Sequence, residues 1–293
     1  NNVDNMDVRI FLLSSGVTAD ALLNGLFDNA EFETFKIDPT APSDGIIQGP
    51  VGNLGRLGTG ELTGAIELRS LFQLMQQQVG NVLSQSCRTD LGSAQCKVPL
   101  DAATWSASLA TTAYVAGEAE TGTIVRPSSD NGYFYRCTVA GTTNDTEGEP
   151  AWNTTLGGTT VETDGVEWET IYAYKQNAVA TAPITDRANF SSASLTVFPD
   201  DWFNFGTVTF TTGDNAGISR EIQDYTATGS VIKTFLPFPY DISITDLFTI
   251  EVGCGKAGYA DCRDKFDNLK NFDGDLFVPG KDKMNQYPNQ RKN

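Results

Sequence analysis

Thr207-Val-Thr-Phe-Thr-Thr-Gly-Asp-Asn-Ala-Gly-Ile-Ser-Arg-Glu-Ile-Gln-Asp-Tyr225 is the stretch that decides the fold class. Val208 and Phe210 alternate with threonines, the period-two pattern of a half-buried strand. Gly213 to Gly217 then supplies a turn, and Ile218 to Tyr225 reads as the returning strand of a hairpin. Working outward, Val231–Leu236 and Leu247–Val252 continue the set, with Phe248, Ile250 and Val252 on one face. Towards the N-terminus, Val8–Leu13 and Glu31–Ile37 are short β-type runs, and Glu61–Leu68 places Leu62, Gly64, Ile66 and Leu68 on one side. One helix is expected: Ser70 caps it, Gln73 completes a capping box, and Leu71, Leu74, Met75, Gln78 and Val82 recur near helical spacing, with Gly80 interrupting. The tail after Phe272 is rich in Gly, Pro, Lys and Asn and reads as irregular. The fold class is mainly β with minor α.

Three parts are expected. Residues 1–86 form an N-terminal β domain with the amphipathic helix. Residues 87–110 plus 176–293 form a second β domain and the C-terminal tail. Residues 111–175, rich in Thr, Gly and Glu and carrying Tyr133, Tyr135, Trp152 and Trp168, read as an inserted small β module. Within it Asp164-Gly165 is a compact hairpin signal. Such an insert at a loop tip is expected to be dispensable for the host fold.

Composition removes whole classes of function. The 293 residues contain no histidine, which excludes Ser-His-Asp and Cys-His sites, His bases and imidazole-ligated zinc. A net charge of −17 argues against a nucleic-acid groove or an anionic membrane as the main partner. No apolar run spans a bilayer, so no membrane anchor is expected. No signal peptide opens the chain, and a start at Asn1 rather than Met is consistent with a leader or N-terminal segment removed ahead of it.

The cysteines carry the sharpest chemistry. Cys87 and Cys96 are spaced C-x8-C, Cys254 and Cys262 C-x7-C, and Cys137 lies in the insert. Four thiolates suit tetrahedral zinc or an iron–sulfur cluster. Arg88, Lys97, Lys256, Arg263 and Lys265 crowd the four positions, as an anionic centre would require, and Gly253, Gly255 and Gly258 are expected to let backbone N–H groups approach sulfur. Spacing alone leaves metal, two disulfides with one free thiol, and unrelated buried thiols all open.

A resemblance enters with longer motifs. Gly16-Val-Thr-Ala-Asp-Ala-Leu22, Phe27-Asp-Asn-Ala-Glu-Phe-Glu33, Gly49-Pro-Val-Gly52 and Glu67-Leu-Arg-Ser-Leu71 come first. Cys87-Arg-x-Asp-Leu-Gly-x-x-x-Cys96, Trp202-Phe-x-x-Gly206 and Thr212-Gly-x-Asn215-Ala-Gly217 follow. The closing signature is Gly253-Cys254-x-Lys256, Cys262-Arg-x-Lys265-Phe266-x-Asn268, Asn271-Phe272-x-Gly274 and Pro279-Gly280-x-Asp282. In this order they resemble the hub protein of siphophage tail tips and the equivalent hub of gene transfer agents. The resemblance implies a multi-domain hub of small β-barrel or sandwich domains in the virion tail tip, with no enzymatic activity. It implies a 4Fe–4S cluster on Cys87, Cys96, Cys254 and Cys262, with zinc as the alternative. It also implies a homotrimeric ring beside a distal tail protein ring and central fibre or megatron-like proteins, whose lumen passes DNA without specific binding. The family's further N-terminal segment is represented here by residues 1–15 only.

The insert resembles small carbohydrate-binding-type β modules of phage structural proteins, which makes Tyr133, Tyr135, Trp152 and Trp168 candidate contacts to a host surface glycan. The alternative function is therefore a glycan-binding tail adhesin with a structural zinc site made of four cysteines. Against it, a module this small needs an aromatic core of its own. Asp200-Asp201 and Glu162, Glu167 and Glu169 read as solvated strand faces and a turn rather than a glycosidase pair, and Asp273-Gly-Asp275 lacks the remaining ligands of a calcium loop. Cys137 reads as a buried small hydrophobe.

Overall fold

The computed structural model describes residues 5–11, 17–18, 22, 25–59, 63–71, 80, 83–119, 121–144, 146–257 and 260–277. The chain divides into two compact units, Asn1–Asn81 and Val82–Asn293. It is mainly β, as expected, and no helix among the described residues is long and apolar enough to cross a membrane.

The first unit is one antiparallel sheet. Its strands are β1 (Asn5–Phe11), β2 (Glu31–Ile37), β3 (Ile46–Thr59) and β4 (Thr63–Ser70), in the order β1-β4-β3-β2. The period-two reading of β4 holds: Gly64, Ile66 and Leu68 are buried while Thr63 and Ala65 face out. Ser70 is the last residue of β4. Beyond Leu71, most of the expected helix, including Gln73, Leu74, Met75, Gln78 and Val82, lies outside the described residues.

Two sheets build the second unit. The smaller contains β5 (Ala103–Thr104), β6 (Ile124–Arg126), β7 (Tyr133–Val139), β8 (Thr159–Val161) and β9 (Glu167–Tyr172), ordered β5-β6-β7-β9-β8. The larger contains β10 (Lys175–Val179), β11 (Thr181–Ile184), β12 (Asn189–Ser191), β13 (Thr207–Phe210), β14 (Ser219–Thr226), β15 (Val231–Thr234) and β16 (Leu247–Glu251), ordered β10-β16-β13-β14-β15-β12-β11. The hairpin read from sequence is β13–β14, with Val208 and Phe210 fully buried. Its turn is tied down by Asn215, whose amide donates to the Tyr240 carbonyl at 3.0 Å and accepts from the Tyr240 N–H at 3.0 Å. Phe248, Ile250 and Val252 are buried on one face of β16 and its continuation.

The smaller sheet is not a free appendage. Strand β7 is buried on both faces. Tyr135 and Cys137 point into a compact core with Val125, Val166 and Trp168, flanked by Trp105, Leu109, Tyr133 and Trp152. Phe134, between them, points the other way into the large core that holds Phe198, Phe203, Phe210, Phe248 and Phe266. Ala173 and Tyr174, at the exit from β9, join that same core. This packing argues against the expectation that residues 111–175 can be dispensed with, because excision would strip Phe134 and Tyr174 from the large core. The sheet also recruits chain ahead of residue 111, through β5, Trp105 and Leu109.

Candidate metal centre

The four cysteines outside the smaller sheet come from two loops that the fold stitches together. The Cys87 N–H donates to the Lys256 carbonyl at 2.9 Å, joining the first loop to the second. Asp90 and Lys256 form an ion pair at 2.6 Å across the same junction. Arg88 reaches the segment after the second pair, bonding Asp273 at 2.7 Å and Asp275 at 2.6 Å. Those two acids thus serve a guanidinium and not a cation loop.

Cys262 sits in a single π-turn over Asp261–Lys265. Asn268, almost fully buried, ties that turn to Cys96. Its backbone N–H donates to the Cys262 carbonyl at 2.6 Å, and its side-chain amide donates to the Cys96 carbonyl at 2.5 Å and lies 3.8 Å from the Cys96 sulfur. Asn271 in turn donates to the Asn268 side-chain oxygen at 2.7 Å. Sequence reading quotes Asn268 in a motif but assigns it no role. A hydrogen-bonded side chain needs a partner 172 positions away, which pattern alone does not reveal.

The thiols sense one another. Cys254 is pulled down to about 7, chiefly by the hydrogen bond from the Cys262 thiol. Cys262 is pushed strongly up by that same bond, by burial and by the charges of Cys254, Cys87 and Cys96. Cys254 is therefore the more readily ionised member of the pair. The Cys87 sulfur lies 3.1 Å from the Thr89 hydroxyl. All five cysteines are unbridged, and Cys96 and Cys262 are buried while Cys87 and Cys254 are half-buried. Among the described residues, no three Cys, Asp or Glu side chains close on a point in the manner of a single-ion site. A tetrahedral zinc with ~2.3 Å bonds to sulfur would hold its thiolates only ~3.8 Å apart. A cubic cluster spreads them wider, because each thiolate binds its own iron. Four unbridged thiols are a donor set that fits either group.

The cations near the centre are arranged more selectively than their crowding in sequence indicates. Arg88 and Lys256 pair with carboxylates, and Arg263 pairs with Asp264 at 2.7 Å. Lys265 donates instead to main-chain carbonyls of Trp202 and Gly253 at 2.5 and 3.0 Å, beside Cys254. Burial pulls its ammonium down to about 8. The glycine expectation is corrected at Gly253: a Cβ there would collide with the backbone of Phe205 and Gly206, so the missing side chain admits a crossing loop and not a sulfur. The Gly255 N–H donates to Asp261 at 2.7 Å, and Gly258 lies outside the described residues. Four left-handed non-glycine residues, Lys97, Phe205, Lys256 and Asp267, belong to this assembly. Backbone held in that region marks a place where surroundings override local preference, as they do at functional sites.

The glycan candidates are placed differently from expectation. Tyr135 and Trp168 are fully buried and can touch no sugar. Trp152 stacks on Tyr135 with centroids 4.1 Å apart and donates to Glu149 at 2.7 Å, while Tyr133 stacks on Tyr172 at 5.9 Å. The four rings build the module's interior. Glu162 is buried among them and accepts from the Trp105 and Trp168 indoles at 3.1 and 2.6 Å and from the Asn144 N–H at 3.0 Å. Glu169 pairs with Arg136 at 2.6 Å, and Asp200 accepts from the Ala227 N–H at 2.8 Å. Glu162 corrects the expectation of a solvated strand face: its carboxylate is buried because two indole N–H groups and a main-chain N–H need an acceptor inside the module. Cys137 is fully buried, its thiol donating to the Val139 carbonyl at 3.3 Å, and burial raises its pKa.

Residues 1–99 match the family model described as baseplate hub protein, N-terminal attachment domain, and residues 201–282 match that of phage conserved hypothetical protein BR0599. No curated protein matches the chain. Among solved structures, a chain of the virion of a native gene transfer agent particle shares the fold. It is 22% identical with a TM-score of 0.63, over 98% of this chain and 75% of that one. With residues 1–99 similar to a hub attachment domain and the second cysteine pair inside a match to a phage conserved protein, the protein is a structural component of the virion, located in the tail baseplate.

Proposed function

We propose that the protein is the hub of a phage-type tail tip, in which Cys87, Cys96, Cys254 and Cys262 hold a non-catalytic 4Fe–4S cluster. The observation that carries the reading is the meeting of two cysteine pairs, 158 positions apart between Cys96 and Cys254, as unbridged thiols tied together by Asn268 and Lys256. The cluster would supply a covalent cross-link between the two ends of the second unit. Closing so long a loop restricts the unfolded chain strongly, and coordination couples folding to metal. The residues of the chain position the thiols, neutralise their charge through Lys265, and bury two of the four. The hub is taken to act as a homotrimeric ring among other tail proteins. A lumen for DNA is served by a charge of −17 per subunit, because like charge keeps the nucleic acid from sticking.

Iron, labile sulfide and visible absorbance of anaerobically purified protein test the centre. The expected result is one cluster per chain, lost in any of Cys87→Ser, Cys96→Ser, Cys254→Ser or Cys262→Ser and kept in Cys137→Ser. Stoichiometric zinc without iron or sulfide would replace the cluster by the zinc alternative. A particle reconstruction with three copies at the tail tip supports the ring, and six copies overturn it.

A further inference from the structure

We infer that Phe205 is the solvent shield of the four-cysteine centre, an inference that rests on the cluster reading above. Its backbone is left-handed, with φ of 62°, a conformation that bulky side chains avoid and that Asn or Gly would adopt readily. The residue is held there from two sides. Its N–H donates to the Ile222 carbonyl at 2.9 Å, and the Gly253 backbone lies so close to its carbonyl carbon that no side chain fits between them. Packing, and not backbone preference, therefore sets where the ring goes.

The ring goes to the open side of the centre. It lies over Gly255, next to Cys254, close enough that a Cβ on Gly255 would meet ring carbons Cε2 and Cδ2 at 3.4 and 3.5 Å. With Leu91, Leu100, Cys254 and Lys256 it lines a hollow of about 570 Å³. Cys96 and Cys262 are already buried by the protein, whereas Cys254 is only half-buried and borders this hollow. Of the two half-buried cysteines, Cys87 and Cys254, only Cys254 borders this hollow. Phe205 itself is 50% exposed, so one face covers the loop and the other faces solvent. An apolar shell of this kind governs solvent access to a metal site and the lability of its ligands.

The substitution Phe205→Asn separates the two roles of the residue, because it relieves the backbone and removes the ring together. Iron-loaded protein is exposed to bathophenanthroline in air-saturated buffer and the cluster absorbance is followed. The expected result is wild-type iron content after anaerobic purification, an apo unfolding midpoint equal to or above wild type, and loss of iron about tenfold faster. Phe205→Leu, which keeps apolar bulk, should lose iron at an intermediate rate. An iron-loaded Phe205→Asn variant that decays at the wild-type rate overturns the shield while leaving the cluster standing. Wild-type protein free of iron and sulfide overturns the cluster and the shield together.

Discussion

Asn268→Ala is the sharpest probe of how the two cysteine loops are joined. The substitution keeps the backbone bond to the Cys262 carbonyl and deletes the side-chain amide that donates to the Cys96 carbonyl at 2.5 Å. Asn268 is 1% exposed, so water cannot replace the lost donor. A buried carbonyl left without a partner costs about 1–3 kcal/mol, and the void left by the amide adds about 1 kcal/mol. The sum is about 2–4 kcal/mol, which for a unit of this size lowers the melting temperature by about 5–15 °C. The measurement is urea unfolding of metal-free protein, followed by tryptophan fluorescence and by far-ultraviolet circular dichroism, so that loss of metal does not enter. Asn268→Asp should be at least as damaging, since it turns an acceptor towards the Cys96 carbonyl. Asn271→Ala, whose side chain is half-buried and can turn to water, should cost well under half as much. An Asn268→Ala protein within about 0.5 kcal/mol of wild type would show that the loops are joined by something else.

Three further outcomes are expected. Burial holds the Tyr174 hydroxyl at about 12 against an ordinary 10.0, so its contribution is intact below pH 10 and is lost as pH rises through 12. The full loss is on the order of 3 kcal/mol and most of it has developed by pH 11.5, so between pH 9 and pH 11.5 urea titrations should show wild type losing more stability than Tyr174→Phe by about 2 kcal/mol. Glu162→Ala strands two indole N–H groups and the Asn144 N–H inside the module, costing at least about 3 kcal/mol, which differential scanning calorimetry would register. Deleting residues 111–175 should give insoluble protein, and a soluble, cooperatively folded deletion would refute the shared core.

The strands were legible because alternation is a local property. Gly64, Ile66 and Leu68 on β4, and Val208 and Phe210 on β13, declare one wet face and one dry face within a few residues. The cysteine spacing marked two pairs of thiols, which the fold brings near one another, but spacing by itself left metal, disulfides and unrelated thiols open. The connections between them were not legible. Asn268, Lys265 and Trp202 act through partners far along the chain, and any polar side chain in a loop looks much the same before the loop is placed. Gly253 misled for a related reason: a glycine signals a close approach, and only the fold says whether sulfur or another backbone does the approaching.

The smaller sheet shows where pattern reading reaches its limit. On β7, Tyr133, Tyr135 and Cys137 lie on one face, and a period-two reading assigns Phe134 to the opposite, solvent-facing side. Phe134 is in fact as buried as its neighbours. A strand with two dry faces belongs to a layer packed between two cores, and no excised version of that layer can keep both. The same layer bears on the cysteine turn. The Gly117 N–H donates to Asp267 at 3.1 Å, Glu118 pairs with Lys270 at 2.6 Å, and the Tyr174 ring meets Phe266 edge-on at 5.6 Å. Trp202 closes the circuit, donating to the Ala173 carbonyl at 3.1 Å while its own carbonyl receives Lys265. An element read as an accessory for binding sugar is thus built into the support of the cysteine turn through Gly117, Glu118, Ala173 and Tyr174. Tyr133, Tyr135, Trp152 and Trp168 are spent on the module's own interior, which is why the rings that sequence offers for a ligand have so little free surface to give one.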